Sequence, residues 1–294
     1  MIRRKKGSLA LWGFVAPALA LYSVFSLLPL FGTVALSFTN YNGALLSKMK
    51  WVGFRNYVKA FTADPIFLKS LWNNTRFTIA IVIFQLGVAL LLALILYKKL
   101  RGGNLFKTVY MLPIVLSNAA VSIVWSYIFD PNIGVLNSML AKIGLGSLQQ
   151  VWLANERLAM GLIVLICIWG GTGVPVIIFI TGLQAIPYEV NEAAIVDGAN
   201  AWTLFRRITL PFLMPMLLVN VILTTINGFK VFDVIVMLTY GTPNNSTMVL
   251  AVWSYQQAFA NESWGYATAI GVILLIIVGA ISVAQRRLLS SDDV

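Results

Sequence analysis

The sequence predicts an all-α integral membrane protein with six transmembrane helices. Three observations carry that expectation. The 294-residue chain is 59% hydrophobic and only 11% charged, with a mean hydropathy of +0.85, whereas ordinary globular chains carry about 25% charge. Its charged residues are grouped so that they leave long uncharged gaps, and about 20 apolar residues suffice to cross a bilayer core. One polar segment, Glu192–Pro211 (EAAIVDGANAWTLFRRITLP), sits between two of those apolar runs.

Composition also removes several classes of function. The formal net charge is +11, but no basic stripe lies on a soluble domain large enough to grip nucleic acid. In a membrane protein basic residues mostly set topology from cytoplasmic loops. The chain has no histidine, which excludes histidine catalysis, metal ligation and pH switching. Its single cysteine, Cys167, lies in an apolar run, so neither a disulfide framework nor a CxxC metal site is available. No GxxxxGK phosphate loop is present.

Taken in order, Arg3, Arg4, Lys5 and Lys6 precede an uncharged stretch that lasts until Lys48. Its apolar part is about twice the 7–15 residues of a signal-peptide core, so an uncleaved first span is expected, with the basic head inside. The segment FRNYVKAFTADPIFLKSLW then predicts one or two short surface helices in an external loop. That loop is unusually basic, with Lys48, Lys50, Arg55, Lys59, Lys69 and Arg76. Phe77–Tyr97 is the second span, closed by Lys98, Lys99 and Arg101. Thr108–Phe129 is the third, and 130–157 an external loop. Leu158–Gly182 is the fourth; Gly170, Gly171, Gly173 and Pro175 predict a kink or a close helix contact there.

The fifth span is expected from Pro211–Pro215 to about Tyr240, and Ser263–Gln285 is the sixth. Between them GTPNNS, residues 241–246, reads as a turn and Met248–Phe259 as a partial or re-entrant helix. The map is a cytoplasmic N-terminus at 1–8, a first span at 9–38, an external loop at 39–74, a five-span core at 75–285 containing a cytoplasmic loop at 185–211, and a cytoplasmic tail at 286–294. Twelve of the 21 basic residues then fall on cytoplasmic segments and eight on external ones. An even number of spans places both termini inside.

Within the polar segment, Pro187–Asp197 reads as a short helix, with proline tolerated at its start. Gly198 supplies the break through positive φ. Asn200 is expected to cap a second short helix, on which Trp202, Phe205 and Thr209 share a face, and Pro211 is expected to close the unit. A polar helix–turn–helix held by two spans predicts a handle for something outside the membrane. In the fifth span, Asn220, Thr224 and Asn227 follow three-and-four spacing beside Lys230 and Asp233. That pattern fits a helix facing a wet path and equally a helix–helix hydrogen-bonding seam. Lys230 and Asp233, three residues apart, are expected to share a face and to be able to pair. An interfacial snorkelling pair and a lining of a solute passage both remain open for them.

Glu192-Ala193-Ala194, Gly198 after three further residues, and Ile208, Leu210 and Pro211 after nine more resemble the signature loop of the membrane subunits of binding-protein-dependent ABC importers, in order and spacing. Ile186-Pro187 and Asp197-Gly198-Ala199 resemble the carbohydrate branch, the maltose and glycerol-phosphate type permeases. Phe54, Asn56 and Tyr57 are similar to that branch's external VGxxNY element. Phe232-Asp233 with Thr239–Pro243 is similar to its FD…TxGGP element, although Thr242 stands where a second glycine is usual. Gly265-Tyr266-Ala267 also fits.

The resemblance implies a type I ABC importer permease fold in a bacterial plasma (inner) membrane. Its EAA coupling helix would dock on a dimer of cytoplasmic ABC ATPase subunits, through Glu192, Ala193, Ala194, Asp197, Gly198, Phe205, Ile208, Leu210 and Pro211. ATP and magnesium would be bound by that partner, so no cofactor and no enzymatic activity are expected in this chain. A second, usually different permease subunit and an extracytoplasmic solute-binding protein complete the set. The solute implied is a sugar, of di- or oligosaccharide size, or glycerol phosphate. The rival reading is an ion-coupled secondary carrier or channel for a small polar solute. It predicts more intramembrane carboxylates and no docking loop. A passive scaffold and a membrane enzyme are weaker readings, the latter for lack of a convergent catalytic set.

Overall fold

A computed structural model describes residues 15–44, 46–97 and 103–289. The basic cluster Arg3–Lys6, the turn with Lys98, Lys99 and Arg101, and the tail beyond residue 289 lie outside the described residues. In chain order the helices are α1 (Val15–Ser37), α2 (Arg55–Thr62), α3 (Pro65–Tyr97), α4 (Gly103–Val115), α5 (Asn118–Ile128), α6 (Val135–Lys142), α7 (Ala159–Gly171), α8 (Gly173–Gln184), α9 (Tyr188–Val196), α10 (Ala201–Phe229), α11 (Asp233–Leu238), α12 (Leu250–Phe259) and α13 (Trp264–Leu289). Helices α1, α3, α10 and α13 are each long and apolar enough to cross a bilayer. Two bent helix pairs, Gly146–Ala154 with Ala159–Gly171 at 83° and Gly173–Gln184 with Tyr188–Val196 at 70°, are long and apolar enough only when taken together, which gives four to six candidate spans among the described residues.

Local chemistry explains the interruption between α4 and α5. Pro113 lies in the last turn of α4, where Leu116 N–H bonds back to Pro113 O at 3.2 Å. Ser117 is extended and its hydroxyl accepts from Ala120 N–H at 3.2 Å, which starts α5 as a new helix. The uninterrupted third span expected from hydropathy is therefore broken at 116–117. Prolines 29 and 211 are accommodated differently. A proline ring meets the carbonyl four residues back, here that of Phe25 or Arg207. Each of those residues sits in a π turn, Ser23–Leu27 or Phe205–Thr209, closed by a bond to the carbonyl five residues back. The widened turn accepts the ring. Pro211 accordingly does not close the polar unit, because α10 runs straight through it.

The chain divides into two compact units: residues up to Asp64 with Trp253–Leu275, and Pro65–Val252 with the residues from Ile276 on. In the first, Asn56 Nδ2 donates to Ser37 O and Thr39 O, both at 2.8 Å, and Tyr57 Oη shares a 2.6 Å hydrogen bond with Ser37 Oγ. These bonds pin the start of α2 to the end of α1. The buried Asp64 carboxylate accepts from Trp253 Nε1 at 2.8 Å and Tyr266 Oη at 2.6 Å.

In the second unit, Ala89, Ala93 and Leu96 of α3 pack on Val176, Phe179 and Leu183 of α8 and on Leu213 of α10. Small residues let the backbones approach: a Cβ at Gly182 would strike Met216 and Leu213, and one at Gly173 would strike Ile114. The helix contact expected around Gly170–Pro175 is therefore present, and Gln85 Nε2 donates to Gly171 O at 2.8 Å. Helix α3 begins at Pro65, well before the uncharged stretch at Phe77, so Lys69 and Arg76 ride on its N-terminal turns. There Lys69 Nζ donates to Asn244 O at 2.6 Å and Asn73 Nδ2 to Asn245 O and Met248 O at 3.0 Å each. Asn74 is fully buried; it donates to Gly228 O and accepts from Leu250 N–H, both at 3.2 Å. The GTPNNS turn is thus held on α3 by two side chains, Lys69 and Asn73, and Asn74 ties α3 to the end of α10 and the start of α12. Asn137 does the same for the loop after α5, bonding Pro131 O, Gln150 O and Trp152 Nε1.

Candidate functional site: a polar cavity and a polar loop

The second unit forms a partly open cavity of about 540 Å³ lined from α3, α4, α5, α7, α8, α10 and α11. All five residues singled out in the fifth span, Asn220, Thr224, Asn227, Lys230 and Asp233, line it. Asn220 is only 1% exposed and Thr224 is buried; Asn220 Nδ2 reaches Pro175 O at 3.4 Å, so it faces both the wall of α8 and the cavity. Asn227, Lys230 and Asp233 are exposed.

The helix expected to carry Lys230 and Asp233 together does not. Lys230 is the C-cap of α10, and Phe232, at φ −142° and ψ −64°, separates it from α11, where Asp233 is the first residue. Three-residue spacing places side chains on one face only within a continuous helix, and no ion pair joins them among the described residues. Asp233 Oδ2 instead accepts from Asn118 Nδ2 at 3.3 Å. Asn118 and Gln85 are cavity residues that the sequence reading passed over. Gln85 was detectable as the one amide in the run 77–97, and Asn118 as the polar neighbour of a helix restart after Pro113. Among the described residues the cavity wall therefore mixes four amides, the Thr224 hydroxyl, one ammonium and one carboxylate with apolar side chains. Amides offer donors and acceptors together, which suits a polar solute rich in hydroxyls. No group of three or more His, Cys, Asp or Glu side chains converges among the described residues.

The polar loop forms as two helices at a sharp turn. Helix α9 leaves α8 at a bend of 70°. It ends in a Schellman closure: Gly198 N–H bonds to Ile195 O at 3.0 Å and Ala199 N–H to Ala194 O at 2.9 Å, with Gly198 at φ +84°. Asn200 Oδ1 then accepts from Thr203 N–H at 2.9 Å and caps α10. Trp202 and Phe205 share a face, with ring centroids 5.9 Å apart.

Glu192, Ala193, Asp197 and Gly198 are exposed and Ala194 half-buried. Beside them Tyr188, Ile195 and Trp202 are exposed, and Val196 is 85% exposed. The hydrogen bond to Glu192, with a smaller contribution from desolvation, holds the Tyr188 phenol above its ordinary pKa. Phe205, Ile208 and Leu210 are half-buried and Pro211 is exposed; Ile208 packs against the α3–α8–α10 core. The motif therefore splits: its first half is surface, and Ile208 roots the second half in the bundle.

Residues 85–291 match the family described as the binding-protein-dependent transport system inner membrane component. A probable ABC transporter permease protein of Pyrococcus horikoshii is 36% identical over 264 residues, covering 90% of each chain. The multiple sugar-binding transport system permease protein MsmF of Streptococcus mutans is 34% identical, covering 96% of each. A chain of a bacterial ABC transporter involved in the import of the acidic polysaccharide alginate superposes with a TM-score of 0.85 over 97% of this chain and 96% of that one, at 23% identity. Sequence match, an all-helical architecture with several candidate membrane spans, and shared fold agree: this chain belongs to the family of inner membrane components of binding-protein-dependent transport systems.

Proposed function

We propose that this chain is the permease subunit of a sugar importer, forming half of a passage for a di- or oligosaccharide and coupling it to a cytoplasmic ATPase dimer that binds ATP and magnesium. The observation that carries the coupling is the exposed apolar surface of α9 and its turn. Ile195, Val196 and Trp202 stand in solvent within the EAA loop, and contiguous exposed apolar side chains mark interaction sites. The Schellman turn and the Asn200 cap give this surface a fixed shape, so a push on α9 reaches α10 through a helix with no break before Lys230. The cavity bordered by α10 lies further along the same rod. ATP-driven closure of the two ATPase subunits would move the docked loops, and two permease bundles would rock around the solute.

Sugar is favoured because the 34%-identical MsmF is a multiple sugar-binding system permease and because the cavity wall supplies the amides of Gln85, Asn118, Asn220 and Asn227 beside the Thr224 hydroxyl. A second, different permease completes the passage, and an extracytoplasmic binding protein delivers the solute. The chain lies in a bacterial plasma membrane with both termini and the EAA loop cytoplasmic. An ion-coupled carrier has less support: among the described residues Asp233 is the one carboxylate on the cavity, and such a carrier has no use for the loop. The test is sugar uptake by cells carrying Glu192→Lys. Uptake is expected to be abolished while the protein still inserts and remains in the membrane; normal uptake refutes the docking assignment.

A further inference from the structure

Helix α2 is inside out for a helix in water. Asn56 and Ala60, and Asp64 one turn on, are its buried line. The opposite line is apolar and exposed: Phe54 at 70%, Val58 at 57% and then Phe61, with Trp51 just before at 69%. Phe38 stacks on Trp51 at 5.2 Å and meets Phe54 edge-on at 5.3 Å, so these rings form one aromatic ledge. Arg55 and Lys59 flank the apolar line on one side. Lys48 and Lys50 are exposed beside it.

The geometry points to this ledge and helix as an anchor that lies on the outer membrane surface and binds anionic phospholipid headgroups. Three features choose lipid over a water-borne partner. The hydrogen bonds from Asn56 and Tyr57 to Ser37 and Thr39 tie α2 to the last turn of a membrane-spanning helix, which fixes its level at the bilayer boundary. Aromatic rings and an apolar helix face flanked by Lys and Arg are the composition of interfacial helices. The segment 39–64 contains four cations, and its only acid, Asp64, is buried against Trp253 and Tyr266. Lys59 lies 4.1 Å from the Tyr266 ring centroid, which leaves Lys48, Lys50 and Arg55 to meet phosphate. This also accounts for an external segment more basic than topology rules favour: those cations are held by headgroups. The anchor depends on unit-one geometry and not on ATPase docking, so it stands or falls separately from the proposed coupling.

The test places spin labels on the full chain in phosphatidylethanolamine–phosphatidylglycerol nanodiscs, at Val58→Cys or Phe61→Cys in a Cys167→Ser background. Phe25→Cys in α1 serves as the lipid-facing reference and Asn132→Cys as the aqueous one. Labels at 58 and 61 are expected to collide with oxygen more than with a water-soluble nickel complex, as at 25 and opposite to 132. Replacing phosphatidylglycerol by phosphatidylcholine should lower that ratio, and Lys48→Gln, Lys50→Gln and Arg55→Gln together should remove the lipid dependence. Nickel-favoured collisions at 58 and 61 overturn the proposal, since the face is then in water. Low access to both reagents also overturns it, since a protein then covers the face. Unlabelled protein gives an independent reading: brominated lipid should quench an emission component that Trp51→Phe removes, and no difference in quenching contradicts the anchor.

Discussion

Gly198 separates backbone conformation from contact, because a Cβ there would meet nothing within 4 Å while φ is +84°. At the Cβ, Gly198→Val therefore adds backbone strain without a clash. For an L-residue the left-handed region costs roughly 1–2 kcal/mol, and more for a β-branched side chain. That shifts the turn's equilibrium away from the Schellman geometry by roughly 5- to 30-fold, misaiming α9 relative to α10. Asparagine tolerates left-handed φ, so Gly198→Asn should keep most of the turn. Uptake of the transported sugar, normalised to membrane-inserted protein, is expected to fall several-fold for valine and to stay near wild type for asparagine. Thermal unfolding in detergent should differ little between them, since the strain sits in an exposed turn. Equal uptake by both variants, at either the wild-type or the abolished level, refutes the claim that turn geometry transmits coupling.

Other consequences follow from single contacts. Asn74→Leu removes the acceptor of the buried Leu250 N–H, while Gly228 C=O keeps its bond from Val231 N–H, and should destabilise the protein by about 1–3 kcal/mol for the one buried donor left unpaired, read as a lowered midpoint of thermal unfolding. A double-mutant cycle on Asn118→Ala and Asp233→Ala should return a coupling energy near 0.6 kcal/mol, the typical value for such bonds in membrane proteins, against zero for Asn118→Ala with Glu156→Ala. The Asp130 carboxylate is held below the usual range by hydrogen bonds from Ile133 and Asn132 N–H. Its contribution is present above the unfolded carboxylate pKa of about 3.9 and lost as pH falls through the lower folded value. Hydrogen exchange at those two amides should lose protection in that acid window in the wild type and show no such step in Asp130→Ala. Glu192→Gln should bring the Tyr188 phenol back toward its ordinary pKa, measured as alkaline difference absorbance against Tyr188→Phe.

Much of the architecture was legible because each feature had a local cause. The spans follow from uncharged runs, the break at Gly198 from positive φ, and the start of α10 from Asn200 with Thr203 as its acceptor-bound amide. Of the five cavity residues, Asn220, Thr224 and Asn227 were legible from three-and-four spacing along one helix, and Lys230 and Asp233 as charges inside an apolar run. What escaped the sequence depended on partners far away or on competing backbone solutions. Asn74, Asn73 and Lys69 looked like ordinary loop-side polar residues; their partners at 228 and 244–250 are set only by the tertiary fold. The π turns before Pro29 and Pro211 were missed because a proline signals a helix end or a widened turn with equal force. The split between Lys230 and Asp233 was missed because hydropathy carries through a three-residue break unchanged.

The central claim is that the exposed face at Ile195–Gly198 docks on an ATPase. The direct measurement is gentle-detergent purification of the tagged chain from its native cells, wild type beside Val196→Glu, with mass spectrometry of what accompanies each. Wild type should bring an ATPase and a second permease with its own EAA loop, and Val196→Glu should lose the ATPase while retaining the second permease. A wild-type chain that purifies without an ATPase and transports solute alone in liposomes contradicts the account.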